Sequence, residues 1–393
     1  MPDTPANPLR VLAIMGTRPE AIKLAPIVVA ARRSDRVKPF LLSTGQHRDL
    51  QENVLSLFRL RPDLRAEVMV SEQTLAQLSA RCLKVFGALL ADARPELVLV
   101  QGDTTTAAMG ALAAFYAGIP VWHVEAGLRT STPRFPFPEE MNRRLITRLA
   151  SFNLAPTAGA RENLLHEGVA DDAIAVTGNT EIDALLYALA NAEGIEPPDL
   201  AAFVEQDGPL VVVTVHRRES WGAGVRQVAA ALRELTAADP TLRVVYVAHP
   251  NPAVRADVVP ELGDSPRMLV LDPLRYGDFV QVLRRATVIL TDSGGIQELA
   301  PSLRVPVLVA RRETERTEAL EAGLSILVGT DPDTIVREMT RLLEDEAARA
   351  AMCTDENPYG DGRASERIVQ LLERHAGPAP AEEPVPALAK LGG

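Results

Sequence analysis

ATVILTDSGGIQELA (residues 286–300) joins a short apolar run to two adjacent glycines and then to a helical pattern. A buried strand that passes directly into a helix is typical of a parallel α/β sheet. The first N–H groups of such a helix have no partner within it, and glycine leaves them unshielded. We therefore predict that Ser293, Gly294 and Gly295 bind a phosphate group. A tight packing turn, which would also require glycine, is the competing interpretation.

Similar apolar runs recur on both sides of this stretch and alternate with Ala/Leu/Arg-rich helical patterns. Continuous apolar strands separated by helices predict parallel sheets that are covered on both faces. The segment GIEPPDLAAFVEQDGP (194–209) interrupts the alternation, so we place an inter-domain connection near 180–209. The predicted fold class is α/β, with two Rossmann-like doubly wound domains facing one cleft. The other predicted strands lie in RVLAIMGT, PFLLSTG, ELVLVQGD, PVWHVEAG, LVVVTVHRR, RVVYVAHP, MLVLDP, VPVLVARR and SILVGTD.

The composition limits the classes of protein to consider. A chain of 393 residues, 47% hydrophobic and 24% charged, is long enough for two globular domains. A net charge of −11 argues against a general nucleic-acid binder. The apolar runs are far shorter than the roughly 20 residues that span a bilayer, so we expect a cytoplasmic protein without membrane contact. The two cysteines and six histidines show no metal-ligand spacing, so neither a metal nor another cofactor is predicted.

Two cations follow the first strand in MGTRPEAIK (15–23). Arg18 and Lys23 are placed to contact a diphosphate at the carboxyl end of that strand. Solvated charges at an ordinary helix start are the competing interpretation. The absence of a G-x-G-x-x-G pattern after the strand disfavours dinucleotide binding.

Three acidic residues in the first half stand at strand ends or turns. Asp103 follows the strand in VLVQGDTTT, Glu125 follows the strand in VWHVEAG, and Glu139 lies in FPFPEEMN, next to Glu140. One such aspartate alone would usually be a helix cap. Three together indicate a set of general acids and bases.

The second half contributes further candidates. His216 and Arg217 follow the strand LVVVTV, where both can contact phosphate. Arg316 lies in the loop ARRETERTEAL and is placed to reach the anion at Ser293–Gly295. Phe279 is a candidate for contact with a base, although a core position is equally compatible with the sequence.

Taken together, these motifs resemble a known family. GTRPEAIK, GDTTT, HVEAGLRT, FPEEMNRRL, TGNTEIDAL, HRRES, TDSGGIQE, TERTEA and NPYGDGRASERI are similar to motifs of the bacterial non-hydrolysing UDP-N-acetylglucosamine 2-epimerases, from about residue 10 to residue 370. The resemblance implies a GT-B-like fold with a UDP-sugar in the cleft and no metal or nicotinamide. It also implies a homodimer that interconverts UDP-GlcNAc and UDP-ManNAc. With it we predict domains at 1–180 and 181–361, a last helix at about 362–376 that crosses back to the first domain, and a disordered tail at 377–393.

The resemblance also implies the roles of individual residues. The predicted catalytic residues are Asp103, Glu125, Glu139 and His216. Gln46 and His47 match a loop that binds a second, activating UDP-GlcNAc in many members. The predicted substrate contacts are Arg18, Lys23, Asp103, Glu125, His216, Leu274, Phe279, Ser293, Gly294, Gly295, Glu298 and Arg316.

Three positions depart from the family pattern. Leu299 replaces a glutamate that contacts the ribose hydroxyls, and adjacent Glu298 points about 100° away on a helix, so ribose recognition is expected to differ. Leu274 stands where some members have a glutamine near uracil, and we expect it to contribute only its backbone. Glu72 replaces a basic residue of the activating site, so activation is expected to be lost or altered.

Three other functions remain open from the sequence. They are a retaining glycosyltransferase of the same fold, a 2-epimerase acting on a modified UDP-HexNAc, and a non-catalytic nucleotide-sugar sensor. The first would release UDP in proportion to turnover, whereas an epimerase changes the sugar while UDP stays attached. The acidic set Asp103, Glu125 and Glu139 argues against the sensor.

Overall fold

The computed structural model describes residues 7–45, 48–70, 72–134, 136–215, 217, 220–248, 252–262, 265–353 and 356–376. His216, the pair Gln46 and His47, and the predicted tail at 377–393 lie outside these residues. Within the described part of the chain, no helix is long and apolar enough to cross a membrane.

The first sheet contains seven parallel strands. They are β1 (Leu9–Met15), β2 (Val37–Ser43), β3 (Leu64–Arg65), β4 (Leu97–Gln101), β5 (Val121–Val124), β6 (Phe152–Ala155) and β7 (Ile174–Val176). Their order is β3-β2-β1-β4-β5-β6-β7. The chain therefore moves outward in one direction from β1 and in the other from β4. The crevice between the carboxyl ends of β1 and β4 is the switch point at which such sheets bind ligands.

The second sheet contains six parallel strands. They are β8 (Leu210–Thr214), β9 (Arg243–Val247), β10 (Met268–Leu271), β11 (Val288–Thr291), β12 (Val307–Val309) and β13 (Ser325–Leu327). Their order is β10-β9-β8-β11-β12-β13, so the switch point here lies between β8 and β11. The stretch that opens the sequence analysis supplies β11 and the turn that follows it.

Helices cover both sheets. In the first half they are α1 (Arg18–Ala31), α2 (Arg48–Leu57), α3 (Leu75–Ala93), α4 (Thr105–Tyr116), α5 (Glu139–Leu149), α6 (Ala158–His166) and a 3-10 turn (Asp171–Ala173). Then come α7 (Thr180–Asn191), α8 (Pro198–Val204), α9 (Ala223–Ala238), α10 (Pro252–Leu262), α11 (Tyr276–Arg284) and α12 (Gly294–Leu303). The last four are α13 (Thr317–Glu321), α14 (Pro332–Glu344), α15 (Glu346–Ala351) and α16 (Ala364–His375).

The central strands are largely apolar because helices cover both faces of each sheet. On β1, Val11 and Ala13 belong to one apolar cluster, whereas Leu12 and Ile14 belong to the cluster on the opposite face. This arrangement confirms the predicted α/β class. Three strands, β3, β6 and β7, were not predicted. β3 consists only of Leu64 and Arg65, Asn153 interrupts β6, and β7 has only two β-branched residues, so none of the three stands out as an apolar run.

The two halves meet through α7 and α16. α7 packs against α1 in the first half and against α11 and α12 in the second. α16 contacts α1, α7 and β2, and His375 near its end lies 5.4 Å from the Trp122 ring, centroid to centroid. Asp183 of α7 accepts hydrogen bonds from the N–H groups of Ala364 at 3.2 Å and Ser365 at 2.7 Å. These contacts hold the carboxyl ends of the two sheets toward a common cleft.

Candidate functional site

A buried group of charged side chains fills the cleft between the two sheets. Lys23 Nζ lies 2.7 Å from both carboxylate oxygens of Glu125 and 3.1 Å from Glu181 Oε2. Arg316 Nε donates to Glu298 Oε1 at 2.9 Å, and its Nη2 lies 3.7 Å from Glu125 Oε1. We call Lys23, Glu125, Glu181, Glu298 and Arg316 the ion cluster. It joins elements of both halves, because Lys23 lies on α1 and Glu298 on α12.

The charges in the ion cluster are strongly coupled. Burial opposes the charge of Lys23, but the carboxylates of Glu125, Glu181 and Glu298 outweigh it and raise the Lys23 pKa. Burial raises the pKa of Glu298, even though Arg316 and Lys23 act in the opposite direction. The cluster combines two cations with three buried carboxyl groups.

The glycines of the opening stretch lie against this cluster. A Cβ atom on Gly294 would lie 2.8 Å from Arg316 Cζ, and one on Gly295 would lie 2.6 Å from Glu181 Oε1. Only glycine lets the guanidinium and the carboxylate come so close to the backbone. From the sequence, these glycines were compatible with a bound phosphate or with a tight packing turn. The structure adds a second reason, which is space for two side chains of the protein itself.

The start of α12 remains suited to an anion. Ser293 is the N-cap residue, yet its side chain makes no capping hydrogen bond within the described chain. The first N–H groups of α12 consequently remain available, and the helix dipole favours negative charge there. This helix start lies beside Arg316, so an anion bound to it would also meet a guanidinium.

Glu125 is held in an unusual backbone conformation. Its φ of 63° lies in the left-handed region, which non-glycine residues adopt rarely and at a cost. Gln101, the last residue of β4, donates a side-chain hydrogen bond to Glu125 Oε2. The hydrogen bond from Gln101 and the backbone conformation of Glu125 therefore both direct this carboxylate toward Lys23.

Asp103 occupies the loop between β4 and α4 and is tied to α5. Its carboxylate forms an ion pair with Arg143, and its carbonyl accepts a hydrogen bond from Asn142 Nδ2 at 2.9 Å. Thr104, the next residue, caps α4 by accepting a hydrogen bond from the Ala107 N–H at 2.9 Å. Asp103 stands at the switch point of the first sheet but, among the described residues, forms no hydrogen bond or ion pair with the ion cluster.

The two adjacent glutamates of α5 have different environments. Glu140 is fully buried and accepts hydrogen bonds from the Thr130 N–H at 3.2 Å and from Arg144 Nε at 2.7 Å. Glu139 is the first residue of the helix and is half-buried. Glu140 therefore holds the loop at Thr130 against α5, whereas the carboxylate of Glu139 stays accessible.

A second charged group adjoins the ion cluster. Glu315 accepts from Arg311 Nη1 at 2.8 Å, lies 3.5 Å from Arg217 Nη2 and also pairs with Arg316. Burial works against its charge, but the arginines outweigh burial and lower the Glu315 pKa. Glu315 therefore gathers three guanidinium groups on one side of the cleft.

The remaining predicted contacts lie along the second half of the cleft. Arg18 Nη2 crosses to the Leu274 carbonyl at 2.8 Å, so Leu274 uses its backbone here. Phe279 is half-buried and packs against the apolar cluster. Leu299 is 2% exposed and belongs to the same cluster, whereas its neighbour Glu298 turns toward the ion cluster.

Sequence analysis missed two carboxylates that organise the site. Glu181 lies in TGNTEIDAL and Glu315 in TERTEA, two motifs that carried the family resemblance but to which no role was given. Their presence in those motifs was the only available signal, because neither follows a strand directly. Among the described residues, no three His, Cys, Asp or Glu side chains are grouped so as to hold a metal ion.

Comparison with known proteins gives a consistent result. The family model described as UDP-N-acetylglucosamine 2-epimerase matches residues 29–373. UDP-N-acetylglucosamine 2-epimerase from Escherichia coli K12 is 45% identical over 372 residues, which cover 93% of this chain and 99% of that protein. The enzyme of the same name from Yersinia pestis is 44% identical over 374 residues, with 93% and 99% covered.

Solved structures show the same relationship. The UDP-GlcNAc 2-epimerase from Neisseria meningitidis, bound to UDP-GlcNAc, superposes with a TM-score of 0.88 at 39% identity, over 93% of this chain and all of the other. The enzyme from Methanocaldococcus jannaschii, in complex with UDP-GlcNAc and UDP, gives a TM-score of 0.80 at 31% identity, again over 93% of this chain and all of the other. This chain therefore belongs to the UDP-N-acetylglucosamine 2-epimerase family.

Proposed function

We propose that this protein interconverts UDP-N-acetylglucosamine and UDP-N-acetylmannosamine by elimination and re-addition of UDP. The observation that carries the proposal is the ion cluster beside the uncapped start of α12. There two cations and free backbone N–H groups converge on the space between the sheets. Such a site suits a diphosphate that gains negative charge as it leaves a sugar.

The chemistry explains why a leaving group is needed. The hydrogen at C2 of the sugar has no carbonyl beside it, so a side-chain base alone would remove it too slowly. When the C1–O bond breaks, its electron pair goes to UDP and positive charge develops at C1. That charge acidifies the C2 hydrogen, and loss of the proton to a carboxylate forms the C1–C2 double bond of 2-acetamidoglucal. Addition of a proton to the other face of C2 and attack of UDP on C1 give the epimer.

The roles of individual residues follow from this scheme. Arg18, Lys23 and Arg316 stabilise the departing diphosphate, together with the N–H groups of Gly294 and Gly295. Because the proton leaves one face of the ring and returns to the other, at least two proton carriers are required. Asp103, Glu125 and Glu139 are the proposed carboxylates. Their positions on the β4–α4 loop, at the end of β5 and at the start of α5 support their approach from different directions.

An NMR experiment in D2O tests the reaction. The purified protein is incubated with UDP-GlcNAc, and the sugar and UDP resonances are followed to equilibrium. We expect UDP-ManNAc to appear, both epimers to carry deuterium at C2, and free UDP to remain at trace level. Hydrogen retained at C2 after full equilibration would rule out the elimination route. Accumulation of free UDP would indicate a hydrolase or a glycosyltransferase, and an unchanged spectrum would indicate a sensor.

We also propose that the protein works as a homodimer. Phe115 and Tyr116 at the end of α4 are 58% and 73% exposed, which supports an apolar contact surface on the first domain. Sedimentation of the wild type and of Tyr116→Asp tests this point. A dimer that Tyr116→Asp converts into monomer is the expected result, and a monomeric wild type contradicts the proposal.

A further inference from the structure

A buried carboxylate lies beneath the first-domain half of the cleft and is not part of the ion cluster. Glu20, on the first turn of α1, is 1% exposed. It accepts hydrogen bonds from the N–H groups of Gly16 at 3.0 Å and Thr17 at 2.5 Å, and from the Thr104 hydroxyl at 2.8 Å. Its three donors belong to two separate loops, which follow β1 and β4.

These two loops form the switch point of the first sheet, and each carries a proposed functional residue. Arg18 directly follows Thr17, and Asp103 directly precedes Thr104. The loop after β1 also lies close to the first turn of α4, because a Cβ atom on Gly16 would lie 2.8 Å from Thr106 Oγ1. Two of the hydrogen-bond donors to Glu20 are therefore the chain neighbours of Arg18 and Asp103.

The hydrogen bonds around Thr104 form a continuous connection. Its hydroxyl donates to Glu20 while its oxygen accepts from the Ala107 N–H at 2.9 Å, which caps α4. A carboxylate at this point thus ties the start of α1 to the start of α4. A shift of Glu20 would move both loops, and with them the guanidinium of Arg18 that reaches the Leu274 carbonyl.

We propose that Glu20 is a positioning residue that sets the distance between Arg18 and Asp103 across the switch point. The inference rests on the proposed function, in which Arg18 stabilises the leaving diphosphate and Asp103 acts at the sugar. Catalytic groups must be held within about 0.5 Å of their productive geometry. A misplacement of about 1 Å can reduce a rate by about 100-fold.

Two substitutions separate positioning from bulk. In Glu20→Gln, the amide oxygen can still accept both backbone N–H groups, and the Thr104 hydroxyl can turn to accept from the amide nitrogen. In Glu20→Leu, the volume is kept but every acceptor is lost. Epimerisation of UDP-GlcNAc by the full chain is measured for both variants, together with Tm, at a temperature well below each Tm.

We expect Glu20→Leu to lower kcat by about 100-fold while KM changes less than about threefold. Glu20→Gln should keep kcat within about threefold of the wild type, as a rescue by the conservative variant. Thr104→Val removes the hydrogen bond to Glu20 together with the cap of α4, so it should lower kcat by about tenfold and also lower Tm, with recovery of both in Thr104→Ser. This second pair provides a readout even if Glu20→Leu does not fold.

Asp63 provides the control. Its carboxylate accepts the Leu41 N–H at 2.8 Å beside β3, at the edge of the first sheet and away from the switch point. Asp63→Leu should lower Tm and leave kcat unchanged. A Glu20→Leu variant that loses Tm but keeps kcat, like this control, overturns the inference while the proposed function stands. A wild type without epimerase activity overturns the proposed function, and the inference with it.

Discussion

The turns after β1 and β11 show two ways of starting a helix at the edge of a sheet. After β1, Glu20 folds back and accepts the N–H groups that precede α1, so this turn is closed by its own chain. After β11, the side chain of Ser293 does not cap α12, and the two glycines bring Arg316 and Glu181 against the backbone. The first turn therefore presents side chains to the cleft, and the second presents free backbone N–H groups.

The largest effect is expected from the removal of Lys23, the cation that α1 contributes to the ion cluster. Lys23→Met leaves the carboxylates of Glu125 and Glu181 buried without their ion-pair partner. We expect kcat to fall by about 10³-fold and the free energy of unfolding to fall by about 3–5 kcal/mol. Turnover and urea denaturation measure the two quantities. The control is Lys38→Met on exposed Lys38, and equal losses in both variants would contradict a special role for Lys23.

The second prediction concerns a substitution that crowds the turn after β11. In Gly294→Ala the new methyl group would lie 2.8 Å from Arg316 Cζ, so the guanidinium must move away from Glu298. We expect kcat to fall by about 100-fold and Tm to fall as well, because the buried ion pair between Arg316 and Glu298 is disturbed. Gly87 is the matched control, because a Cβ atom there meets nothing within 4 Å in the middle of α3. Gly87→Ala should raise stability by up to about 1 kcal/mol and leave kcat unchanged, and a fully active Gly294→Ala variant would refute the crowding argument.

The third prediction concerns how the contribution of Glu20 to the free energy of unfolding depends on pH. Burial raises the pKa of Glu20 to about 7 from its ordinary 4.5, despite the hydrogen bonds from Thr17, Thr104 and Gly16. The folded protein then binds the proton more tightly than the unfolded chain, so this contribution to stability is present below pH 4.5 and is lost as pH rises to 7. We expect a loss of about 2 kcal/mol between pH 5 and pH 7. The free energy of unfolding of Glu20→Gln should lack this dependence, and parallel curves for variant and wild type would contradict it.

The smallest expected effect concerns Glu181, whose carboxylate lies against Gly295 in the turn after β11. Glu181→Gln keeps the shape beside Gly295 but removes a charge 3.1 Å from Lys23. A hydrogen bond to a charged group contributes about 1.5 kcal/mol, so kcat should fall by about tenfold. Glu366 lies in the first turn of α16 and is exposed, so Glu366→Gln serves as the control. A Glu181→Gln variant that behaves like the control would show that Glu181 only fills space.

Much of the site could be predicted because the sequence places polar residues directly after apolar strands. Asp103, Glu125 and Ser293 follow β4, β5 and β11, and parallel strands bring their carboxyl ends to one edge. Glu181 and Glu315 could not be found in this way, since they reach the cleft from α7 and from the loop before α13. The contact of Glu181 with Lys23 depends on how α7 packs against α1, and that of Glu315 with Arg217 joins residues 98 positions apart, so local patterns encode neither.

The same limit applies to neighbouring residues of like type. The sequence offers Glu139 and Glu140 side by side, and only the packing of α5 makes Glu140 fully buried and Glu139 accessible. In the same way, only the packing of α12 places Leu299 in the apolar cluster and Glu298 in the ion cluster, although the two residues are adjacent. One step along a helix changes direction by about 100°, so the faces are resolved only once the partner helices are known.

By itself the sequence determined the α/β class, the strands long enough to show as apolar runs, the family, and the turn at Ser293–Gly295. Burial on both faces of a sheet leaves a continuous apolar run, and a strand that enters a helix through glycine is visible in ten residues. Only the tertiary structure decided which charges meet, that Glu181 and Arg316 explain the glycines, and that Glu20 joins two loops. Those outcomes depend on contacts between residues 18 to 158 positions apart, and such contacts exist only after the chain has folded into its tertiary structure.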